Sequence, residues 1–475
     1  MWRRDAKRWP ATPMSLPDPL RLQWVRDLPQ TSNRAGTGFL CRPEESLRPV
    51  VVSNRVYVAE NHRGVIRAFD SATGEEVWRY YADGPIRAGV AAVKLDDGAI
   101  RVLAGSDDGY LHCVNGITGE RVWRRLLGPS RRKVFGFDRL ISVWASRCGI
   151  SIVEGAPAAA GNYAVIAASG QWPSEGVFVG AFDAATGETL WWNDQMGYPL
   201  VDDRGRHLEH SPIPGGPPAT GWLTLRGNGT RFGFPAQETG WAEISRATGA
   251  LFARHTGSWN TPRIGYVGVS GASESVPEPV VYAGNRTVTR SHATSLGVVG
   301  SVGDMLAADD RLFVMTTQGS LYCFGGDTVA DPPSYDVPNT NLPDVNDAWT
   351  TNVAHMLDVT GADAGGVALV LGAGSGRAVS ELLDQASMLH VVVAEPQQLA
   401  AGALRDTLFD TGLYGKRLEV IEGSVMNTEL PPYVGRLIVA ETLSGTGFTE
   451  GIPFVERVCR LVRPYGGTLW LPTSS

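Results

Sequence analysis

The residues best suited to chemistry lie in the last quarter of the chain. Gly372-Ala373-Gly374-Ser375-Gly376 follows directly on the apolar run Val367-Ala368-Leu369-Val370-Leu371. Glycines at a strand end let the chain turn sharply and let a ligand approach the backbone. A helix starting there offers unpaired N–H groups. Glu395 ends the next apolar run, 23 residues after Gly372 (395 − 372). An acid at that place can accept both hydroxyls of a ribose. Gly423 and Ser424 follow a third apolar run, and Glu441 follows a fourth. A glycine bend facing a correctly spaced strand-end acid points to a nucleoside ligand.

The elements that must hold these residues alternate. A leading helix covers Val353 to Val359, and the first strand is Val367 to Leu371. A helix follows from Arg377 to Gln385, then the strand His390 to Ala394 and a helix from Pro396 through Leu399, Leu404 and Leu408. Gly412 and Gly415 break that helix. Strands come at Leu418 to Ile421, Arg436 to Ala440 and Thr468 to Leu471, with a helix from Phe454 to Val462 before the last. Continuous apolar strands alternating with helices imply a parallel sheet with crossover helices.

Upstream the pattern differs. Residues 331–349 are rich in Pro, Asp and Asn and read as an extended linker. Before it a short motif recurs: Asp70-Ser71-Ala72-Thr73-Gly74 with Trp78, Asn115-Gly116-Ile117-Thr118-Gly119 with Trp123, and Asp183-Ala184-Ala185-Thr186-Gly187 with Trp191. A decayed copy spans Ser245 to Phe252. Asp or Asn turning back onto the backbone, then Gly at positive φ, makes a hairpin turn. Short apolar or alternating runs flank each copy. Repeats of this length, each of about four strands, suggest a β-propeller, because one blade cannot bury both its faces alone. A large Trp fills the wedge between neighbours.

Composition sets outer bounds. The 475 residues carry 42 Lys plus Arg and 49 Asp plus Glu, a net charge of −7, which disfavours a broad nucleic-acid surface. No run approaches the roughly 18 apolar residues that span a bilayer, so no membrane span is expected. The opening Met1-Trp2-Arg3-Arg4 lacks the apolar stretch of a secretory signal. The five cysteines, Cys41, Cys113, Cys148, Cys323 and Cys459, include no close pair and read as reduced, buried thiols rather than disulfides or a zinc site. His207 and His210 read as solvated loop residues, and no metal site is assigned. Thirteen of the 14 Trp precede residue 350, which sets a boundary there.

The repeat with its tryptophans resembles the quinoprotein-type (PQQ-like) propeller. The opening Ser15 to Arg26, Ser106-Asp107-Asp108-Gly109-Tyr110-Leu111, Arg131-Arg132-Lys133 and Leu140-Ile141-Ser142-Val143-Trp144 are similar to a mostly bacterial family of such propellers. The resemblance implies about six to eight blades. Quinone-dependent dehydrogenases of the wider group use calcium, a catalytic Asp and often adjacent cysteines. No adjacent cysteines exist here, so a PQQ cofactor is not expected and a binding scaffold is, with a protein or carbohydrate partner on the propeller loops.

From residue 350 the chain resembles class I S-adenosylmethionine methyltransferases, through the Gly-x-Gly-x-Gly form, the Arg463-Pro464-Tyr465-Gly466-Gly467 turn, Leu413-Tyr414-Gly415-Lys416 and Leu430-Pro431-Pro432-Tyr433. By that resemblance Gly372, Gly374 and Gly376 lie against the methionine part of S-adenosylmethionine, Glu395 binds its ribose, and Gly423 and Ser424 sit near the adenine. Glu441 then faces the transferred methyl or the acceptor as the candidate catalytic base. The hairpin that completes a methyltransferase sheet is not in the sequence, as expected of a truncated domain.

The expected architecture is therefore multidomain. A PQQ-like β-propeller occupies residues 1–330, a linker 331–349, and an α/β Rossmann-like methyltransferase-type domain 350–475. The expected function is methyl transfer to an unassigned acceptor by a domain carried on a propeller scaffold. A non-catalytic binding scaffold and a PQQ-dependent dehydrogenase-like protein are the alternatives. An S-adenosylmethionine-dependent chain would be cytoplasmic, whereas the propeller resemblance implies the periplasm.

Overall fold

Two hydrophobic periodicities in one chain produce two kinds of sheet. The computed structural model describes residues 11–29, 48–193, 231–256 and 280–472, apart from short breaks inside the last three stretches. They form two compact units, residues 1–129 with 143–337 and residues 130–142 with 338–475. His207 and His210, with Cys41 and Cys148, lie outside the described residues.

The first unit holds six of the eight described sheets, antiparallel except for the short edge strands Ala11–Thr12 and Ser334–Tyr335. Three have four strands, and the first of these runs Val50–Val52, Arg55–Glu60, Val65–Asp70, Glu76–Tyr81. Inner strands such as Val65–Asp70 are buried along nearly their whole length, while the outer strand Glu76–Tyr81 alternates. That is the pattern of a small sheet covered on both faces by its neighbours. The strand Arg21–Asp27 pairs with Ser320–Gly325, so the opening of the unit completes its last sheet.

The repeat motif explains how sheets join. Asp70 Oδ1 accepts from the Ala72 and Thr73 N–H groups at 2.9 and 3.2 Å, and Asp183 Oδ1 does so from Ala185 and Thr186 at 2.7 and 2.9 Å. Asn115 makes the equivalent turn. The glycine of each turn has positive φ and lies under a Trp from the preceding sheet. A Cβ on Gly74, Gly119 or Gly187 would come within 2.6, 2.6 or 2.5 Å of Trp24, Trp78 or Trp123. Each indole also donates to a carbonyl of that turn: Trp24 to Ser71, Trp78 to Gly116 and Trp123 to Ala184.

The second unit is α/β. Its elements are α1 (Ala348–Thr360), β1 (Gly366–Leu371), α2 (Arg377–Gln385), β2 (Leu389–Glu395), α3 (Gln398–Phe409), β3 (Leu418–Glu422), β4 (Leu437–Val439), α4 (Ile452–Leu461) and β5 (Thr468–Trp470). The strands are all parallel, in the order β3-β2-β1-β4-β5. The order reverses between β1 and β4, and ligands bind beyond the carboxyl ends of strands at such a switch point. Asp347, inside the stretch read as linker, caps α1 through the Trp349 and Thr350 N–H groups, so the helix takes in the last two residues of that stretch.

One piece of this unit comes from within the propeller sequence. The hairpin Lys133–Gly136 with Arg139–Ser142 belongs to the second unit. Leu140 is fully buried in the core that holds Leu369, Val392 and Ile438. Lys133 N–H donates to the Glu429 carbonyl, Arg131 N–H to the Glu429 carboxylate, and Leu140 N–H to the buried Glu419 on β3. Glu419 also takes His390 Nε2 at 2.6 Å and lies 3.6 Å from Arg139 Nε. Burial alone would push the Glu419 carboxyl up, but the Arg139 charge and the His390 hydrogen bond prevail and hold it below the ordinary value. The Arg131–Lys133 and Leu140–Ser142 stretches, which look like propeller strands in the sequence, thus pack on the α/β core.

Two outcomes are expected. Gly119→Ala meets both strain at φ +75° and the Trp78 indole, whereas Gly98→Ala meets strain at φ +86° with nothing within 4 Å. Gly98→Ala should cost about 1–2 kcal/mol and Gly119→Ala about 1–3 kcal/mol more, as read by denaturant unfolding; equal losses would rule out the indole contact as the cause. For Glu419, a carboxyl lowered in the folded chain stabilises fully above its unfolded value of about 4.3 and loses that contribution as pH falls through the lowered value. The protection factors of β3 amides, corrected for the intrinsic exchange rate, should therefore fall on acidification below about pH 4, and Glu419→Gln should be less protected at neutral pH and less sensitive to acid.

Candidate functional site

Everything at the switch point hangs from the bend after β1. Gly372 has φ +76° and donates its N–H to the Ala394 carbonyl on β2 at 2.9 Å, so the bend starts in register with the neighbouring strand. Gly376 has φ +77° and is the N-cap of α2, where it supplies no side-chain oxygen. A helix start of this kind leaves its first N–H groups to be satisfied from elsewhere.

Two carboxylates satisfy the bend. Glu395, at the end of β2, is buried, and its Oε2 accepts the Ala373 N–H at 2.6 Å. Its Oε1 accepts the Gln397 N–H at 2.7 Å, and its own carbonyl accepts the Gly423 N–H at 2.8 Å. Glu441, just beyond β4, approaches from the other side. Its Oε2 accepts the Ser375 N–H and Oγ–H at 2.6 and 2.7 Å, and its Oε1 accepts the Ala378 N–H at 2.8 Å. Charge-assisted bonds to backbone N–H groups are among the stronger protein hydrogen bonds. Gly374 makes this approach possible, since a Cβ there would stand 2.4 Å from Glu441 Oε2.

The structure thus gathers Gly372, Gly374, Gly376, Glu395 and Glu441 around one bend. Gly423 is tied to the group through the Glu395 carbonyl. The Ser424 backbone turns away to bond Thr428, whose N–H and Oγ–H both donate to the Ser424 carbonyl. Ser375 and Ala378 are participants that spacing did not single out: Ala378 acts through a backbone N–H that any residue carries, and Ser375 through its N–H together with its Oγ–H. Arg377 is another: its guanidinium bonds Asp347, the Val345 carbonyl and Glu381, fastening α2 to the start of α1.

The first unit holds buried polar chains of its own. Tyr80 Oη lies 2.9 Å from His112 Nδ1, and His112 Nε2 lies 2.9 Å from Asp108 Oδ2, all three residues being buried. Arg67 is buried between Glu60 and Glu76. Asp70 and Asp183 are turn-formers, as their spacing predicts. Among the described residues no cluster of three or more His, Cys, Asp or Glu is placed to hold a metal. Cys113 and Cys323 are buried, with burial pushing both thiols up, whereas Cys459 is exposed on α4. No described helix is long and apolar enough to cross a membrane.

Residues 21–205 match the PQQ-type family described as outer membrane protein assembly factor BamB. A quinoprotein ethanol dehydrogenase of Pseudomonas putida is 42% identical over 65 residues, 14% of this chain and 10% of that protein. The dehydrogenase subunit of a quinone alcohol dehydrogenase of Gluconacetobacter polyoxogenes is 28% identical over 178 residues, 36% of this chain and 21% of that protein. The chain thus spans between 10% and 21% of the length of these curated relatives. A quinohemoprotein alcohol dehydrogenase structure from Pseudomonas putida HK5 is similar over 66% of this chain and 47% of its own, with 15% identity and a TM-score of 0.34. The structure of a proposed S-adenosyl-L-methionine-dependent methyltransferase from Methanococcus maripaludis is similar over 26% of this chain and 54% of its own, with 16% identity and a TM-score of 0.24. The turn repeat and the small sheets of the first unit, with the family match over residues 21–205, make that unit a PQQ-type propeller, joined in one chain to a Rossmann-like α/β unit.

Proposed function

We propose that the α/β unit binds S-adenosylmethionine at the bend after β1 and transfers its methyl group, with the propeller acting as a scaffold. One observation carries this reading: a buried carboxylate at the end of β2, Glu395, faces the glycine bend and is fixed by backbone N–H groups on both its oxygens. A carboxylate has about four acceptor positions and Glu395 receives two protein hydrogen bonds, so acceptor capacity remains for ribose hydroxyls. Gly372, Gly374 and Gly376 keep the backbone bare where the ligand approaches. Gly423 and Ser424 lie on the next strand end, on the side assigned to the base.

When bound, S-adenosylmethionine supplies an electrophilic methyl group. The chain's own work is then to bind, orient and exclude water. In this reading Glu395 orients the ribose and Glu441 holds the bend in shape. For Glu441 to act as a general base toward an acceptor, its carboxylate would have to leave the Ser375 and Ala378 donors. A cytoplasmic place for the chain belongs to the same proposal. For the propeller, the scaffold reading is supported by Asp70 and Asp183, whose carboxylates are engaged by their own turns.

The test is calorimetry on the full chain, since the α/β core includes the hairpin at 130–142. S-adenosylmethionine should bind, and Glu395→Ala should weaken binding by about 10- to 100-fold, the loss expected for charged hydrogen bonds of about 1.5–3 kcal/mol. No heat with excess ligand, or affinity unchanged in Glu395→Ala, would sink the reading.

A further inference from the structure

The bend's donors already have an anion. Glu441 closes on Ser375 N–H, Ser375 Oγ–H and Ala378 N–H, the groups that a helix start of this kind offers to a ligand carboxylate or phosphate. It reaches them from β4, across the switch point, and its carboxylate fills the space over Gly374 that a Cβ would need. Glu395 takes the Ala373 N–H from the other side. An incoming anion therefore finds these donors occupied and two carboxylates nearby, so it must displace Glu441 and overcome like-charge repulsion.

We infer that Glu441 is a specificity-determining residue of this site, an internal competitor that favours nucleosides with a neutral or cationic 5′ substituent and disfavours those with an anionic one. This rests on the nucleoside reading above and adds the chemistry of the ligand's tail. A nucleoside whose 5′ substituent carries unbalanced negative charge, such as a phosphate, reaches these donors only by lifting Glu441 off the bend, whereas the carboxylate of an amino-acid tail is balanced by its own ammonium group. The pyrophosphate of a dinucleotide meets the same obstacle.

Two probes share one adenosine: 5′-methylthioadenosine, whose tail is uncharged, and adenosine 5′-monophosphate, whose tail is an anionic phosphate. Binding of each is measured by calorimetry to the full chain and to Glu441→Gln, which removes the charge and turns an amide NH₂ toward the bend's donors. Glu441→Ala serves as the second variant, and thermal unfolding checks that both fold. Adenosine 5′-monophosphate should bind at least about tenfold tighter to the variants, the scale of the competing charge-assisted bonds, while 5′-methylthioadenosine changes less than about twofold. Equal gains for both probes, or no gain for adenosine 5′-monophosphate, overturn the inference and leave the nucleoside reading standing. If neither probe binds the native chain or the variants, the nucleoside reading fails and the inference with it.

Discussion

The absence of a side chain at a few positions governs both units. In the propeller, an indole can lie flat on the next sheet's turn only because Gly74, Gly119 and Gly187 have no Cβ under it. The same bare backbone exposes a carbonyl within reach of the indole N–H, so one contact supplies both burial and a directional hydrogen bond. Repeated from sheet to sheet, that contact covers the faces that a single small sheet cannot cover. In the α/β unit Gly374 has the same office, but the partner admitted is a carboxylate instead of a ring.

How much of this was legible in the sequence depends on how far apart the partners lie. The turn motif is local, since Asp70, Asn115 and Asp183 bond residues two and three places on, and its spacing shows it directly. The parallel strands were equally plain, because burial on both faces leaves continuous apolar runs. The closure of Arg21–Asp27 on Ser320–Gly325 was not legible as a pairing, because nothing in either strand names the other. The hairpin at 130–142 illustrates the same limit. Its two short strands carry no local sign of their partner, and the buried acid at 419, 279 residues from Leu140, together with Glu429 shows where they pack.

Glu419 also shows why that hairpin is bound to its place. An unpaired carboxylate buried on the edge strand β3 would be costly. Here His390 is supplied by the adjacent strand, while the Leu140 N–H and Arg139 come from the hairpin. The α/β core therefore relies on residues whose sequence neighbours belong to the propeller. A domain boundary drawn at a composition shift cannot register such a dependence, since composition records what a stretch contains and not what completes it.

The site carries the same lesson one step further. An acid after a strand reads identically whether it is a base, a ribose ligand or a cap, and Glu395 and Glu441 are both such acids. Their geometry separates them. Glu395 is buried and held by Ala373 and Gln397, whereas Glu441 is half-buried and held by Ser375 and Ala378. Between them they take up donors on both sides of the bend, so the groups left facing a ligand are the remaining lone pairs of two carboxylates. A bend lined that way is rich in acceptors. A group complementary to it brings hydrogen-bond donors or positive charge.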